Sequence, residues 1–229
     1  MNIFEELTTL SEESYKKFSF KIIPTNYNIL GVRMPLLKQI SKKIVSESPY
    51  EFLALDKGNS YEMILLEGLV ISSLKLPFQE LTIYIETYMK KIDNWAQVDS
   101  FVSNFKGIKK EKEMVFNTLQ PWLDSENEFV VRTALIILLS YYVEKEYLEK
   151  IFDISNKITH KGYYVFMGNA WLISVCMAKF PEETIQFFKK NKLDDTTHNK
   201  AIQKSRESNR VSRENKELLN ILKKSSKVK

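Results

Sequence analysis

Apolar positions return every three to four residues along nearly the whole chain, the period of an amphipathic helix rather than the strict alternation of a strand. Leu36, Leu37, Ile40, Ile44 and Val45 fall on one face of a helix with Pro35 in its first turn, leaving Lys38, Lys42 and Lys43 off that face. Leu81, Ile85, Tyr88 and Ile92 repeat the pattern after Pro77. The same period predicts helices over roughly 63–74, 109–123, 128–142, 146–157, 163–179, 182–190, 197–206 and 212–224. Gly107 and Pro181 mark boundaries, and Ser125 and Glu128 have the spacing of a capping box, which predicts Ser125 at the head of the helix that follows.

The β-branched residues sit at helical spacing, so the predicted fold class is all-α. Two helices with their short links occupy roughly 35–45 residues, the unit size of HEAT and armadillo repeats. The expected architecture is therefore an α-α superhelix of stacked antiparallel HEAT-like helix pairs, with a globular bundle as the competing arrangement. A single domain over 1–229 is expected, with a variable helical region at about 1–30, basic helices over 200–229 and a frayed end at 225–229. A solenoid matters for function because its concave wall can follow an extended polymer.

Composition narrows the classes. Six Gly and six Pro in 229 residues disfavour a fold with a turn every ten residues. The 44% apolar and 28% charged content excludes collagen-like and wholly disordered chains. One cysteine, Cys176, and two histidines, His160 and His198, supply no cluster with zinc or iron spacing, so neither a metal nor another cofactor is expected. The densest apolar run, Ala134 to Leu139, is six residues long, and the N-terminus lacks a signal-peptide layout. These features predict no membrane span and a reduced, cytoplasmic compartment.

Charge is uneven. Residues 200–229 carry ten basic and three acidic side chains, while the rest of the chain sums to −2 within an overall +5. A basic end on a near-neutral body points to an anionic partner, nucleic acid first and an acidic membrane surface second, or else to a solvated tail.

Trp95 and Asp99 are four apart and share a helix face, which sets a carboxylate one turn from an indole; from spacing the pair reads as a core Trp with a helix-surface Asp. Arg132 interrupts the apolar run from Phe129 to Ile136 and is either snorkelling to water or held for a partner. On spacing alone, Trp171 reads as core.

Taken in order, Trp95, Asp99, Arg132 and Trp171 make the chain resemble the AlkD-like DNA alkylation-repair glycosylases. The set matches that family's Trp-x-x-x-Asp pair, its later Arg before an apolar helix and its final Trp. The segment Ile29-Leu30-Gly31-Val32-Arg33-Met34-Pro35 looks like the family signature, and the likeness extends to Asn199–Lys204. The resemblance implies a monofunctional, monomeric alkylpurine DNA glycosylase, without metal or lyase lysine and with no obligate protein partner. It would excise cationic N3- or N7-alkylated purines from double-stranded DNA without full base flipping. Asp99, Trp95 and Trp171 would be catalytic, Arg132 would hold a backbone phosphate, and Lys38, Lys42, Lys43, Lys200, Lys204, Arg206 and Arg210 would contact DNA. Two departures stand out: Ile22 falls where active members carry a tyrosine, with Tyr15 and Tyr27 off register, and Ser174 replaces a basic residue three positions after the last Trp. The region from Glu12 to Thr25 reads as shortened or rerouted. Both changes would weaken the grip on the lesion strand. The alternatives are a non-catalytic DNA-binding solenoid for distorted or branched DNA and a protein-interaction module.

Overall fold

The computed structural model describes residues 2–224, so the frayed end expected at 225–229 lies outside the described residues. Among the described residues there is no strand, only one isolated parallel bridge between Asn28 and Ser60. The fold class is all-α, a helical-repeat protein. No helix among these residues is long and apolar enough to cross a membrane. The chain clusters into two compact units, Met1–Thr118 and Leu119–Lys229.

The first unit holds α1 (Ile3–Thr9), α2 (Glu13–Ile22), α3 (Met34–Glu47), α4 (Pro49–Ala54), α5 (Tyr61–Ile71), α6 (Phe78–Met89) and α7 (Trp95–Asn104). A short 3-10 turn at Lys106–Lys110 follows, then α8 (Lys112–Leu123), in which the division between units falls. All eleven residues of α5 are buried, which suits a segment apolar all round, and α3, α4, α6 and α7 pack on it. Gly68 in α5 lets the Tyr88 ring of α6 lie where a Cβ would stand, and the Tyr88 hydroxyl thereby reaches the Gln97 carbonyl of α7 at 3.3 Å.

Two glutamates are buried with α5. Glu67 pairs with Lys91 at 2.7 Å. Glu62 accepts the backbone N–H groups of Leu30 (2.9 Å), Gly31 (2.8 Å) and Val32 (3.3 Å). Gly31 adopts φ +96°, which turns successive N–H groups toward one carboxylate. A Cβ there would sit 2.6 Å from the Glu12 carbonyl oxygen. The Gly31 carbonyl accepts the Glu12 N–H at 3.0 Å, and Arg33 grips the Glu12 carboxylate with two bonds of 2.8 and 2.9 Å, so this loop also holds the start of α2.

The second unit holds α9 (Glu128–Tyr141), a 3-10 turn at Lys145–Tyr147, α10 (Leu148–Lys157), α11 (Tyr163–Lys179), α12 (Pro181–Lys190), α13 (Asp195–Glu207) and α14 (Arg213–Ile221). Here α11 is central, packed against α9, α10, α12 and α13, with α14 on α13. Asn169 of α11 and Ser155 of α10 join side chain to side chain, and the Asn169 amide also donates to the Ser155 carbonyl at 3.2 Å. Cys176 lies on the buried side of α11, and burial pushes its thiol up to about 12. The predicted capping box is corrected: Asn127, not Ser125, caps α9, accepting the Phe129 N–H at 2.9 Å. Ser125 instead accepts the Asn127 N–H, and Glu128 turns to the Tyr164 N–H at the head of α11.

His198 fastens the chain end. One ring nitrogen meets the Leu222 carbonyl at 2.8 Å and the other the Asn191 amide at 3.0 Å, while Asn199 pairs twice with the Lys224 backbone. Burial, then the nearby Lys224 ammonium, hold His198 below its ordinary value of 6.5, against the bond to Leu222.

Glu62→Gln sets an amide N–H₂ against converging backbone donors, and Gly31→Ala forces a Cβ into the Glu12 backbone. Each should destabilise the fold by about 2–4 kcal/mol, read as a lower urea midpoint. For His198 the unfolded chain binds its proton at a higher pH than the folded one. Stability is therefore complete above 6.5 and lost as pH falls below it, and His198→Gln should flatten that limb of a melting-temperature profile.

Candidate functional site

The helix that carries Trp95 and Asp99 is anchored at its first turn. Asn94, wholly buried, accepts the N–H groups of Ala96 (3.0 Å) and Gln97 (3.1 Å), while the Gln97 side chain accepts the Asp93 N–H at 3.1 Å. Asp93 in turn holds the segment after α2. It accepts the Thr25 hydroxyl at 2.8 Å and the Asn26 N–H at 2.6 Å, and the Tyr27 hydroxyl donates to the Lys91 carbonyl at 2.8 Å. The Trp95 indole N–H donates to the Ile22 carbonyl at 3.2 Å. Trp95 and Asp99, each half-buried, thus stand on one face of a helix whose start is bonded to the N-terminal segment.

The Glu12–Thr25 segment, read from the sequence as shortened or rerouted, is helical over Glu13–Ile22. It forms α2, of which only Ser19 is buried, while Phe18, Phe20 and Ile22 are 55%, 75% and 45% exposed. Lys16, Lys17 and Lys21 are exposed among them, and Lys17 pairs with Glu13 at 3.6 Å. At the position of the expected tyrosine, Ile22 offers its backbone carbonyl to Trp95 and its side chain to water.

In the second unit, Trp171 is corrected from core to surface. It is 37% exposed on α11, and Trp122 at 4% is the tryptophan that fills the core. Arg132, on α9, does not snorkel. It is 5% exposed, donates to the Tyr164 carbonyl at 3.2 Å and stands 5.9 Å from the centre of the Tyr164 ring. Lys204 on α13 is half-buried, and burial together with the like charges of Lys200 and Arg132 holds its ammonium below the ordinary lysine range against the pull of Glu207. Arg132, Lys200 and Lys204 therefore form one positive region on the unit whose α11 exposes Trp171. Ser174 is buried, and its hydroxyl donates to the Trp171 carbonyl at 2.7 Å, so it supports the backbone that carries the indole.

The remaining expected phosphate contacts divide. Lys38, Lys42, Arg206 and Arg210 are exposed, and Lys200 is half-buried. Lys43 is exposed but paired with Glu6 at 3.3 Å. Neither histidine stands ready as an acid: His198 is bonded at both nitrogens, and His160 meets the Glu126 carbonyl and the Gly162 N–H. Lys57, buried and with its ammonium held down by burial, gives its protons to the carbonyls of Phe52, Leu53 and Leu55 at 2.5–3.3 Å. Among the described residues no group of three or more His, Cys, Asp or Glu is placed to hold a metal ion.

Residues 3–205 match the family model described as DNA alkylation repair enzyme. The chain belongs to that family. No curated protein matches the chain. Family membership makes an enzyme of DNA alkylation repair, with DNA as substrate, the frame for this geometry, and both units lie largely within the matched span. Positioning of this repair enzyme's two candidate-site indoles was legible only in part. The Asn94 cap and the Trp95–Asp99 spacing are sequence signals, whereas the Asp93 contacts to Thr25 and Asn26 join residues 67 or more apart and carry no local signal.

Lys204 and Lys43 should separate when DNA binding is measured against salt. Lys204→Ala should lower the slope of log affinity on log salt by about 1, and Lys43→Ala, removing a charge already paired with Glu6, should lower it less.

Proposed function

We propose that the protein is a monofunctional glycosylase that removes cationic N3- and N7-alkylated purines from double-stranded DNA. The observation that carries this reading is a carboxylate and two solvent-reaching indoles, Asp99, Trp95 and Trp171, in a member of the DNA alkylation repair family whose histidines are both held in structural contacts. An alkylated purine already carries positive charge, so the base leaves without protonation and the barrier is the developing oxocarbenium cation of the sugar. Asp99 stabilises that cation, and at about 4 Å with an effective dielectric near 20 the attraction is roughly 4 kcal/mol, or about three powers of ten in rate. The indole faces of Trp95 and Trp171 add on the order of 0.5–2 kcal/mol each. Asp99 also orients the attacking water. Arg132, oriented by Tyr164, holds a backbone phosphate, and Lys200 and Lys204 extend that phosphate track.

Specificity in this mechanism comes from the lability of the cationic lesion, so bulky cationic adducts are removed and neutral lesions are not. A second reading, a DNA-binding protein of the same family without excision, is favoured by one observation. The Ser174 hydroxyl is engaged by the Trp171 carbonyl, and this position offers no cation to the lesion strand.

Release of 3-methyladenine and 7-methylguanine from methylated duplex, at stated low salt, tests the proposal. Wild type should release both, and Asp99→Asn should be slower by about a thousandfold with nearly unchanged affinity for unmodified duplex. Excision undiminished by Asp99→Asn would remove the carboxylate from the mechanism. Wild-type protein that binds duplex and releases no base would establish the second reading.

A further inference from the structure

At the opposite end of α7 from Trp95, the links α5–α6 and α7–α8 enclose a trough of about 760 Å³ within the first unit. Its shape is set by Asn104, the last residue of α7, whose amide donates to the hydroxyls of Ser72 (2.8 Å) and Ser73 (2.9 Å) and ties the two links together. Leu74, Leu76, Pro77 and Leu81 give it apolar walls. Lysines stand on both sides, Lys75 on one link and Lys106 and Lys110 on the other. All three are exposed, and none has an ion-pair partner among the described residues. The one carboxylate in the lining, Glu111, is turned to the Phe78 N–H at 2.9 Å, where it caps the start of α6.

We propose that this trough docks an acidic peptide segment of a partner protein, one apolar side chain seated among Leu74, Leu76 and Leu81 with flanking carboxylates on Lys75, Lys106 and Lys110. Three unpaired ammonium groups on two facing links match an extended polyanion better than a single anionic head group. The apolar walls select against nucleic acid, whose backbone has no aliphatic side chain to fill them, and select for a peptide with an anchor residue. Position agrees with this. The ten-residue α7 separates the trough from Trp95 by roughly 15 Å and from Asp99 by about half of that, so a partner held here leaves the indole accessible. The inference stands independently of the excision mechanism, because it uses none of the residues assigned to it.

The probe is a fluorescein-labelled peptide, Asp-Glu-Asp-Leu-Ser-Asp, with Asp-Glu-Asp-Ser-Ser-Asp as its partner lacking the anchor, titrated by anisotropy against the full chain. Saturable binding below about 1 mM is expected, weakened at least about tenfold by loss of the anchor. Lys106→Glu/Lys110→Glu and, separately, Leu76→Ser should weaken it to a similar degree while leaving affinity for duplex DNA unchanged. Amide shifts on peptide addition should concentrate in residues 72–76 and 104–111. Absence of saturable binding, or equal binding of the two peptides, would overturn the proposal. So would a double charge reversal that weakens DNA binding and spares the peptide, which would assign these lysines to nucleic acid.

Discussion

The Glu62 carboxylate, buried on α5 and gripped by three successive backbone N–H groups, is the constraint from which the first unit is ordered. A buried charge is tolerable only when its acceptor sites are filled, and here they are filled by a loop that can converge on it because Gly31 alone accepts the required backbone angle. The same loop then holds Glu12, and through it the start of α2. At its other end α2 presents the Ile22 carbonyl to Trp95, while Thr25 and Asn26 bind Asp93. A carboxylate in the first turn of the central helix is thereby connected, by hydrogen bonds and one short helix, to the placement of an indole.

Much of the fold was legible because helical period survives in a single sequence. The bounds of α11 were read to the residue, and α9 to within one. Legibility failed where the deciding forces are not periodic. The pattern gives no account of α2, because its apolar side chains face water rather than a core. Asn127 displaced Ser125 as a cap because Glu128, the other half of the expected box, is drawn to the head of α11 instead. Trp171 reads as core by spacing, and only the packing of other helices leaves it at the surface while Trp122 is buried. The candidate site was half legible for the same reason. Residue identities and the four-residue spacing are written in the chain, whereas the burial of Arg132, its hold on Tyr164 and the pairing of Lys43 with Glu6 depend on distant neighbours.

The proposed mechanism needs little acid–base machinery. Each unit supplies a solvent-reaching indole, the first adds a carboxylate, the second adds a positive region, and both histidines serve the scaffold. Departure of a base that is already cationic asks for electrostatic stabilisation rather than proton transfer. Arg132 illustrates how such a region is built: buried beside α11 and oriented by a carbonyl, its charge acts through the surface and disfavours protonation of the half-buried Lys204. An incoming phosphate would reverse that penalty, so the groups that repel one another in isolation are those that most favour an anion.

Cys176 gains significance in this chemical setting. Electrophiles that methylate purine nitrogens react readily with thiolates, and the chain has one thiol. With that group fully enclosed in α11 and its ionisation pushed up to about 12, the thiol stays protonated at neutral pH. That thiol is therefore a poor target for the electrophiles that alkylate DNA.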